Sequence, residues 1–254
     1  MSLKDKKVLI TGAAGQLGRK YCQAFADAGA VVLVSDVELA ACEKILAHLP
    51  GGAEKHFALR CDVSDPASVE RAFAEIKKRF GTLDVLINNA GIAVFGPFEN
   101  RKFDDFMNVF LVNAGGTFLC TRAASWLMRE SKTTGAIINI GSIYGVVSSD
   151  PRIYTDTPRY NSECYSGSKA AVIQMTKYFA VHLAPYGIRV NSISPGGVFN
   201  SQGDDFVRNY SQRTPLGRMA TEDELTATAL FLASDGASYI TGQNIIVDGG
   251  WTAW

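Results

Sequence analysis

A glycine-rich turn between two short apolar segments constrains the fold of this chain more than any other feature. Residues 8–11 (VLIT) have the pattern of a buried strand, and residues 12–18 (GAAGQLG) lead from it into a helical pattern. A second apolar run follows at residues 31–35. Continuous apolar runs joined through a helix are typical of parallel strands that are buried on both faces. The segment therefore predicts a βαβ unit.

The same alternation of strand and helix patterns continues along all 254 residues. A long helical pattern covers residues 102–129, and a Thr-x-x-Glu capping box at residues 221–224 predicts the start of a later helix. Further strands are predicted at residues 57–60, 83–87, 136–140, 190–194 and 245–247. No linker or repeat interrupts the pattern. We therefore predict one α/β domain over residues 1–254, a doubly wound (Rossmann) seven-stranded parallel sheet with helices on both faces.

Composition and charge argue against several classes of partner. The 25 Lys and Arg residues balance 25 Asp and Glu residues, so no basic surface for nucleic acid or an anionic membrane is expected. The chain has no apolar run long enough for a membrane helix or a signal peptide, which predicts a cytoplasmic location. Five scattered cysteines and three isolated histidines (His48, His56 and His182) predict neither disulfides nor a metal site.

Residues near the first two strands predict a dinucleotide site. Backbone N–H groups of a glycine turn at a helix N-terminus favour a bound anion such as a pyrophosphate. Asp36 ends the second strand, where a carboxylate accepts hydrogen bonds from an adenosine ribose and repels a 2′-phosphate. No Lys or Arg lies in the turn or directly after Asp36 to bind that phosphate. NAD is therefore predicted in preference to NADP.

Tyr165 and Lys169 lie four residues apart on a predicted helix and project from the same face. An unperturbed tyrosine has a pKa near 10 and is a poor base at neutral pH. A cation one turn away favours the phenolate and lowers that pKa. Pairs of this kind also occur by chance on solvated helix faces, so the assignment depends on the motifs elsewhere in the chain.

Taken in order, these motifs resemble the short-chain dehydrogenase/reductase family, in its single-domain branch, over essentially the whole chain. Residues 11–18 resemble the family's Thr-Gly-x-x-x-Gly-x-Gly turn, residues 88–91 its Asn-Asn-Ala-Gly segment, and residues 241–250 its C-terminal signature. The resemblance implies a cofactor site formed by Gly12, Gln16, Leu17, Gly18, Asp36, Asp62, Val63, Asn89, Ala90, Gly91, Tyr165, Lys169, Pro195, Gly196 and Val198.

The resemblance also implies hydride transfer between a carbinol carbon and C4 of the nicotinamide, with four catalytic residues. Tyr165 is expected to act as the general base or acid. Lys169 is expected to bind the nicotinamide ribose and lower the Tyr165 pKa. Ser142 is expected to donate a hydrogen bond to the reacting oxygen, and Asn113 to position a proton-carrying water. A homotetramer or homodimer built on two long helices is also implied.

The chain departs from the family pattern at three places. Gln16 replaces the middle glycine of the first motif and places a side chain near the pyrophosphate. Asn200 replaces the threonine that usually follows the Pro-Gly turn, and an amide can still form hydrogen bonds there. The stretch between Ser142 and Tyr165 is longer than is common in the family. Residues 146–163 are therefore predicted to form an inserted active-site loop, and residues 197–215 a substrate lid.

Two interpretations of the inserted loop remain open. Arginines bind phosphates and carboxylates, and tyrosines stack on rings, so the loop suits a hydroxylated or nucleotide-linked sugar. Alternatively the loop packs against the lid or a neighbouring subunit, with its arginines paired to Asp150 and Asp156. Under the first interpretation, the candidate substrate residues are Ser142, Phe95, Arg152, Tyr154, Arg159, Tyr160 and Asn200.

The favoured hypothesis is an NAD-dependent oxidoreductase that interconverts a secondary alcohol and a ketone of a sugar, sugar nucleotide or polyol. A weaker resemblance points to family members associated with bacterial surface-sugar biosynthesis. One alternative is a reductase of 3-oxoacyl thioesters, which is expected to carry basic residues for NADP and for an acidic carrier. Another is a dinucleotide-binding regulator without turnover, which has no need of all four catalytic residues. The sequence does not determine the substrate or the physiological direction.

Overall fold

The computed structural model describes residues 3–155 and 160–254. Within these ranges a single sheet contains the strands β1 (Lys7–Thr11), β2 (Val31–Asp36), β3 (Phe57–Arg60), β4 (Val85–Asn88), β5 (Ala136–Ile140), β6 (Arg189–Pro195) and β7 (Asn244–Val247). All neighbouring strands are parallel, in the order β3-β2-β1-β4-β5-β6-β7. The direction of winding reverses between β1 and β4, and such a switch point opens a crevice at the carboxyl ends of the strands.

Helices cover both faces of this sheet. They are α1 (Gln16–Asp27), α2 (Leu39–His48), α3 (Gly52–Lys55), α4 (Pro66–Phe80), α5 (Phe103–Phe110), α6 (Gly116–Glu130), α7 (Glu163–Leu183), α8 (Asp204–Arg213) and α9 (Thr226–Ala233). Alternate residues of β1 enter opposite cores, because successive strand side chains point to opposite faces. Ile10 joins the core formed with α1, α2 and α9, whereas Leu9 joins the core formed with α4, α6 and α7. The predicted doubly wound fold is confirmed.

Local signals place the helix ends. The Asp65 side chain accepts a hydrogen bond from the Ala67 N–H (3.0 Å), and Pro66 occupies the first turn of α4, where its missing N–H costs nothing. The capping box of Thr221 and Glu224 forms as predicted. It opens a 3₁₀ turn over Glu222–Leu225, and α9 follows directly. No helix within the described ranges has the length and apolarity needed to cross a bilayer.

The predicted helix over residues 102–129 is interrupted in its middle. A π-helical turn at Leu111–Gly115 separates α5 from α6. Asn113 lies within this turn and is buried. Wider turns of this kind are rare and frequently occur at functional sites. The π-helical turn therefore contains a residue to which the family resemblance assigns a catalytic role.

Candidate active site

A cavity of about 1180 Å³ opens at the carboxyl ends of the strands, at the switch point of the sheet. Every predicted cofactor residue except Gly18 lines it. Of the predicted catalytic residues, Ser142, Tyr165 and Lys169 also line it. One cavity therefore brings together motifs that are spread over most of the chain.

The glycine turn is fixed by contacts with two neighbouring strands. Gly12 has φ +61°, and a Cβ atom there would lie 2.6 Å from the Ala90 Cα atom, so only glycine fits. The Asn89 side chain donates to the Gly12 carbonyl oxygen (2.9 Å). One Asp36 carboxylate oxygen accepts from the Ala14 N–H (2.9 Å). Asp36 is thereby held at the rim of the cavity, where the ribose contact was predicted.

Gly18 and Gln16 differ in how they relate to the cavity. A Cβ atom on Gly18 would overlap the Gly12 carbonyl oxygen, so this glycine allows α1 to pack against the turn. The expectation that Gly18 contacts the cofactor is corrected to this packing role. Gln16 lines the cavity, and its amide donates to the Phe199 carbonyl oxygen (2.7 Å). Gln16 therefore joins the glycine turn to the segment that precedes α8, within the predicted lid.

Lys169 and Tyr165 lie one turn apart on α7 and face the same cavity. The Lys169 Nζ atom lies 5.7 Å from the centre of the Tyr165 ring and donates to the Ile140 carbonyl oxygen (2.7 Å). Ser142 lines the same cavity, and its side chain is close enough to Tyr165 to lower the pKa of the phenol in part. The serine that follows β5 and the two residues of α7 therefore face one cavity, and their catalytic roles stay predictions.

Asn113 lies beside this group, although it does not line the cavity. Its side-chain oxygen accepts from the Ile92 N–H (2.8 Å), and its amide nitrogen donates to the Ile92 carbonyl oxygen (3.0 Å) and to Ser168 Oγ (2.9 Å). A Cβ atom on Gly91 would approach both the Asn113 side chain and Lys169 Nζ. Asn113 thus ties the segment after β4 to α7. Its role in positioning a water remains a prediction.

Burial is the main cause of the pKa shifts of Lys169 and Tyr165. Burial lowers the pKa of Lys169 to about 8. Burial also raises the pKa of Tyr165, and the hydrogen bond with Ser142 lowers it in part. Desolvation of the phenolate is thus the main influence on the Tyr165 pKa in the protein alone, and the expectation that Lys169 lowers this pKa stays a prediction. The positive charge of a bound nicotinamide ring would lower the pKa of Tyr165.

Alcohol oxidation is expected to accelerate as the pH rises from about 6 to about 9, whereas ketone reduction is expected to change little. Oxidation needs Tyr165 as a proton acceptor, and its raised pKa keeps the deprotonated fraction small at neutral pH, so this fraction grows as the pH rises. Reduction needs the protonated phenol, and the raised pKa keeps Tyr165 protonated throughout this range. Initial rates in both directions, with saturating cofactor and constant ionic strength, test this. An oxidation rate that does not rise with pH would contradict the proton-transfer role.

The structure corrects the substrate role predicted for Arg152. Its guanidinium forms two hydrogen bonds to the Asp150 carboxylate (2.9 and 2.8 Å), and its side chain is 81% exposed, outside the cavity lining. Asp150 is buried, and a buried carboxylate requires a charged partner. Tyr160 is also outside the lining and packs on the Tyr154 ring at 5.7 Å. Arg159 lies outside the described residues.

The described part of the predicted inserted loop packs against α8, as the alternative interpretation held, whereas Asp156 lies outside the described residues. The Asn209 amide of α8 donates to Thr155 Oγ1 (2.9 Å), and Arg213 of α8 lies 3.4 Å from the Asp150 carboxylate. The Tyr154 ring lies 5.3 Å from the Phe206 ring of α8. Tyr154 nevertheless lines the cavity, as do Phe95 and Asn200 among the predicted substrate residues.

Several cavity residues were not predicted. Tyr144 lines the cavity two residues after Ser142, and its hydroxyl lies 3.3 Å from the Tyr154 hydroxyl. The sequence signal that could have identified Tyr144 is its position two residues after the predicted catalytic serine. Asn161, Met219 and Gln202 also line the cavity, and no motif marks them. Within residues 3–155 and 160–254 no three metal-ligating side chains cluster together.

These features define a class of protein. A Rossmann sheet with a glycine turn, a strand-end aspartate and a Ser-Tyr-Lys group in one cavity is the framework of a dinucleotide-dependent oxidoreductase. The cradle fits NAD(P), since Gly12 leaves room for close backbone approach. A bound NAD(P) supplies the hydride acceptor or donor, and the chain supplies the group that moves the proton.

Comparisons with known proteins identify the family. A family model described as enoyl-(acyl carrier protein) reductase matches residues 12–252. D-threitol dehydrogenase of Mycolicibacterium smegmatis is 35% identical, and the alignment covers 98% of this chain and 94% of the relative. The chain belongs to the short-chain dehydrogenase/reductase family and is an oxidoreductase that acts on CH–OH groups.

Solved structures agree in fold. A short-chain dehydrogenase from Leptospira borgpetersenii with bound NAD⁺ superposes with a TM-score of 0.91 at 39% identity, over 99% of this chain and 94% of that one. A gluconate 5-dehydrogenase from Burkholderia cenocepacia, in complex with NADP and tartrate, has a TM-score of 0.91 at 29% identity, over 100% and 97% of the two chains. Both nicotinamide cofactors therefore occur among similar structures.

Proposed function

We propose that this protein is an NAD-dependent dehydrogenase of a polyol or sugar, interconverting a secondary alcohol and a ketone. The observation that carries the proposal is the convergence of Ser142, Tyr165 and Lys169 in a cavity that also contains Asp36 and tyrosine hydroxyls. The names of the similar proteins, D-threitol dehydrogenase and gluconate 5-dehydrogenase, support polyhydroxylated substrates.

In the oxidation direction, each residue has a defined task. Ser142 donates a hydrogen bond to the reacting oxygen and stabilises its developing charge. Tyr165 accepts the hydroxyl proton as the carbinol C–H bond breaks, and a bound NAD would supply the hydride acceptor. Lys169 would hold the nicotinamide ribose and supplies positive charge beside the phenol. Reduction reverses these transfers, and the phenol then donates the proton.

A substrate panel tests the proposed function. Purified protein is assayed with NAD⁺ and NADP⁺ against threitol, 2,3-butanediol, gluconate and simple secondary alcohols, with reduced cofactor measured by absorbance. Crotonyl and acetoacetyl thioesters with NADH and NADPH form a second arm, because the matching family model is described as an acyl-carrier reductase. Turnover of thioesters alone would contradict the proposal, as would absence of turnover of any alcohol.

Asp36 is expected to determine the preference for NAD. Asp36→Asn removes the charge that repels a 2′-phosphate, and it weakens the hydrogen bonds to the ribose. We expect NADP affinity to rise about tenfold and NAD affinity to fall about tenfold, measured by isothermal titration calorimetry. Asp27→Asn changes the same charge at an exposed position and should leave both affinities unchanged. Tighter binding of NADP than of NAD by the unmodified protein would contradict the assignment.

An assembly of two or four copies is proposed on the long helices. Large apolar side chains are exposed on α5, the π-helical turn, α6 and α7, namely Phe103, Met107, Leu111, Phe118, Trp126, Tyr178 and Val181. Exposed apolar patches of this kind mark association surfaces. Light scattering after size-exclusion chromatography distinguishes monomer, dimer and tetramer, and a monomer would contradict the proposal.

A further inference from the structure

Two segments of the cavity wall are joined by backbone contacts close to the start of α7. Phe95 forms an antiparallel bridge with Asn161, and both residues line the cavity. The N–H of Gly96, whose φ of +115° suits glycine, donates to the Tyr160 carbonyl oxygen (3.1 Å). Asn161 lies four residues before Tyr165. The bridge therefore attaches the segment that follows β4 to the chain that leads into the catalytic helix.

Arg101 joins the same two segments through its guanidinium group. Its Nη2 atom donates to the Gly96 carbonyl oxygen (3.1 Å), and its Nη1 atom donates to the Phe95 carbonyl oxygen (3.5 Å). Its Nε atom donates to the carboxylate of Glu163, the first residue of α7 (3.1 Å). The Arg101 side chain is only 10% exposed, so these charged hydrogen bonds are largely shielded from water. Arginine suits this position because its planar fork presents several donors in a fixed geometry.

The Phe95 side chain presents apolar surface at the wall of the cavity. Phe95 is 44% exposed, and removal of apolar surface from water is favourable, so a ligand that covers the ring gains affinity. Phe95 follows β4, whereas Asp36 ends β2 on the far side of β1. The ring is therefore remote from the predicted adenosine end of the cavity and close to the helix that carries Tyr165. The C–H groups of a polyol or sugar supply the apolar surface that packs on it.

We propose that Arg101 is a positioning residue for substrate binding: it holds the Phe95 backbone against the start of α7, and the Phe95 ring packs on the carbon skeleton of the substrate. This inference rests on the proposed function and specifies how its site binds substrate. Arg101 itself lies outside the cavity lining, so it acts through Phe95. A residue that is held in place loses less conformational entropy when its ligand binds. Loss of either side chain should therefore weaken substrate binding and leave the chemical step unchanged.

A double-mutant cycle at Arg101 and Phe95 tests the inference. Arg101→Met, Phe95→Ala and the double variant are assayed at saturating NAD⁺ with the best alcohol of the substrate panel. Phe95→Ala is expected to raise KM about tenfold through the lost aromatic contact, with kcat changed less than about twofold. Arg101→Met is expected to raise KM about fivefold in the unmodified protein, but less than about twofold when Phe95 is already alanine. A purely structural role for Arg101 gives no such dependence on Phe95.

Glu163→Gln supplies a second variant of the same contact. It removes the charged partner of Arg101 at an exposed position, where the fold depends little on the ion pair. KM should rise about two- to threefold, and this rise should also disappear in the Phe95→Ala background. The Glu163→Gln variant carries the test if Arg101→Met, which alters a nearly buried side chain, melts below the assay temperature.

Matched measurements separate substrate positioning from general damage. Arg71→Met is the control, because Arg71 of α4 forms an exposed ion pair with Asp65 (3.6 Å) outside the cavity lining, and it should leave KM and kcat unchanged. Thermal melting and isothermal titration with NAD check the fold and the cofactor site of each variant. An unchanged KM, equal effects of Arg101→Met in both backgrounds, or a loss of NAD affinity would overturn the inference while the proposed function stands. Failure of the unmodified protein to oxidise any alcohol would overturn both.

Discussion

Tyr165→Phe is expected to lower kcat for alcohol oxidation by about 10³-fold, within the range that general acid–base catalysis contributes. The substitution removes only the phenol oxygen, so the ring packing on α7 is retained. Affinity for NAD should change less than about threefold, because the Lys169 and glycine-turn contacts remain. Steady-state kinetics and isothermal titration on the same preparation measure the two effects.

A matched control lies on the same helix. Tyr178 is exposed between three and four turns further along α7, and Tyr178→Phe removes an equivalent hydroxyl outside the cavity. That variant should retain full activity. If Tyr165→Phe retained the activity of the Tyr178→Phe control, Tyr165 would not be the proton-transfer residue. The mechanism assigned to the cavity would then be wrong.

Lys169→Met is expected to lower kcat/KM for alcohol oxidation by about 10²- to 10³-fold. Methionine fills a similar volume but removes the cation beside Tyr165 and the donor to the Ile140 carbonyl. Burial already lowers the Lys169 pKa to about 8, so the fold disfavours this charge and does not depend on it for stability. The loss of activity should therefore greatly exceed any change in thermal stability.

Lys177→Met serves as the control, since Lys177 is an exposed lysine two turns further along α7. Its kinetics and melting temperature should match those of the unmodified protein. Two outcomes would contradict the role of Lys169. One is a variant with near-normal kcat/KM; the other is a variant whose loss of activity is fully explained by unfolding at the assay temperature.

In the inserted loop, residue type and residue position contribute separately to whether a side chain contacts the substrate cavity. Its composition indicated contacts to a polar substrate, and Tyr154 does line the cavity. The same reasoning assigned Arg152 to substrate, whereas the structure pairs it with Asp150. An arginine satisfies a carboxylate of the protein as readily as one of a ligand. Only the tertiary structure, which buries Asp150 beside Arg213 of α8, shows that Arg152 pairs with a carboxylate of the protein.

The sequence by itself determined the doubly wound sheet and the glycine turn, and its resemblance to the family supplied the residues of the predicted catalytic group. Apolar periodicity, turn residues and motif spacing are local properties of the chain, and the parallel sheet then brings the strand ends together. Only the tertiary structure decided that Gln16 bonds Phe199, that Tyr144 pairs with Tyr154, and that burial raises the pKa of Tyr165. These outcomes depend on which side chains meet across distant segments and on how far water is excluded, and no local pattern encodes either.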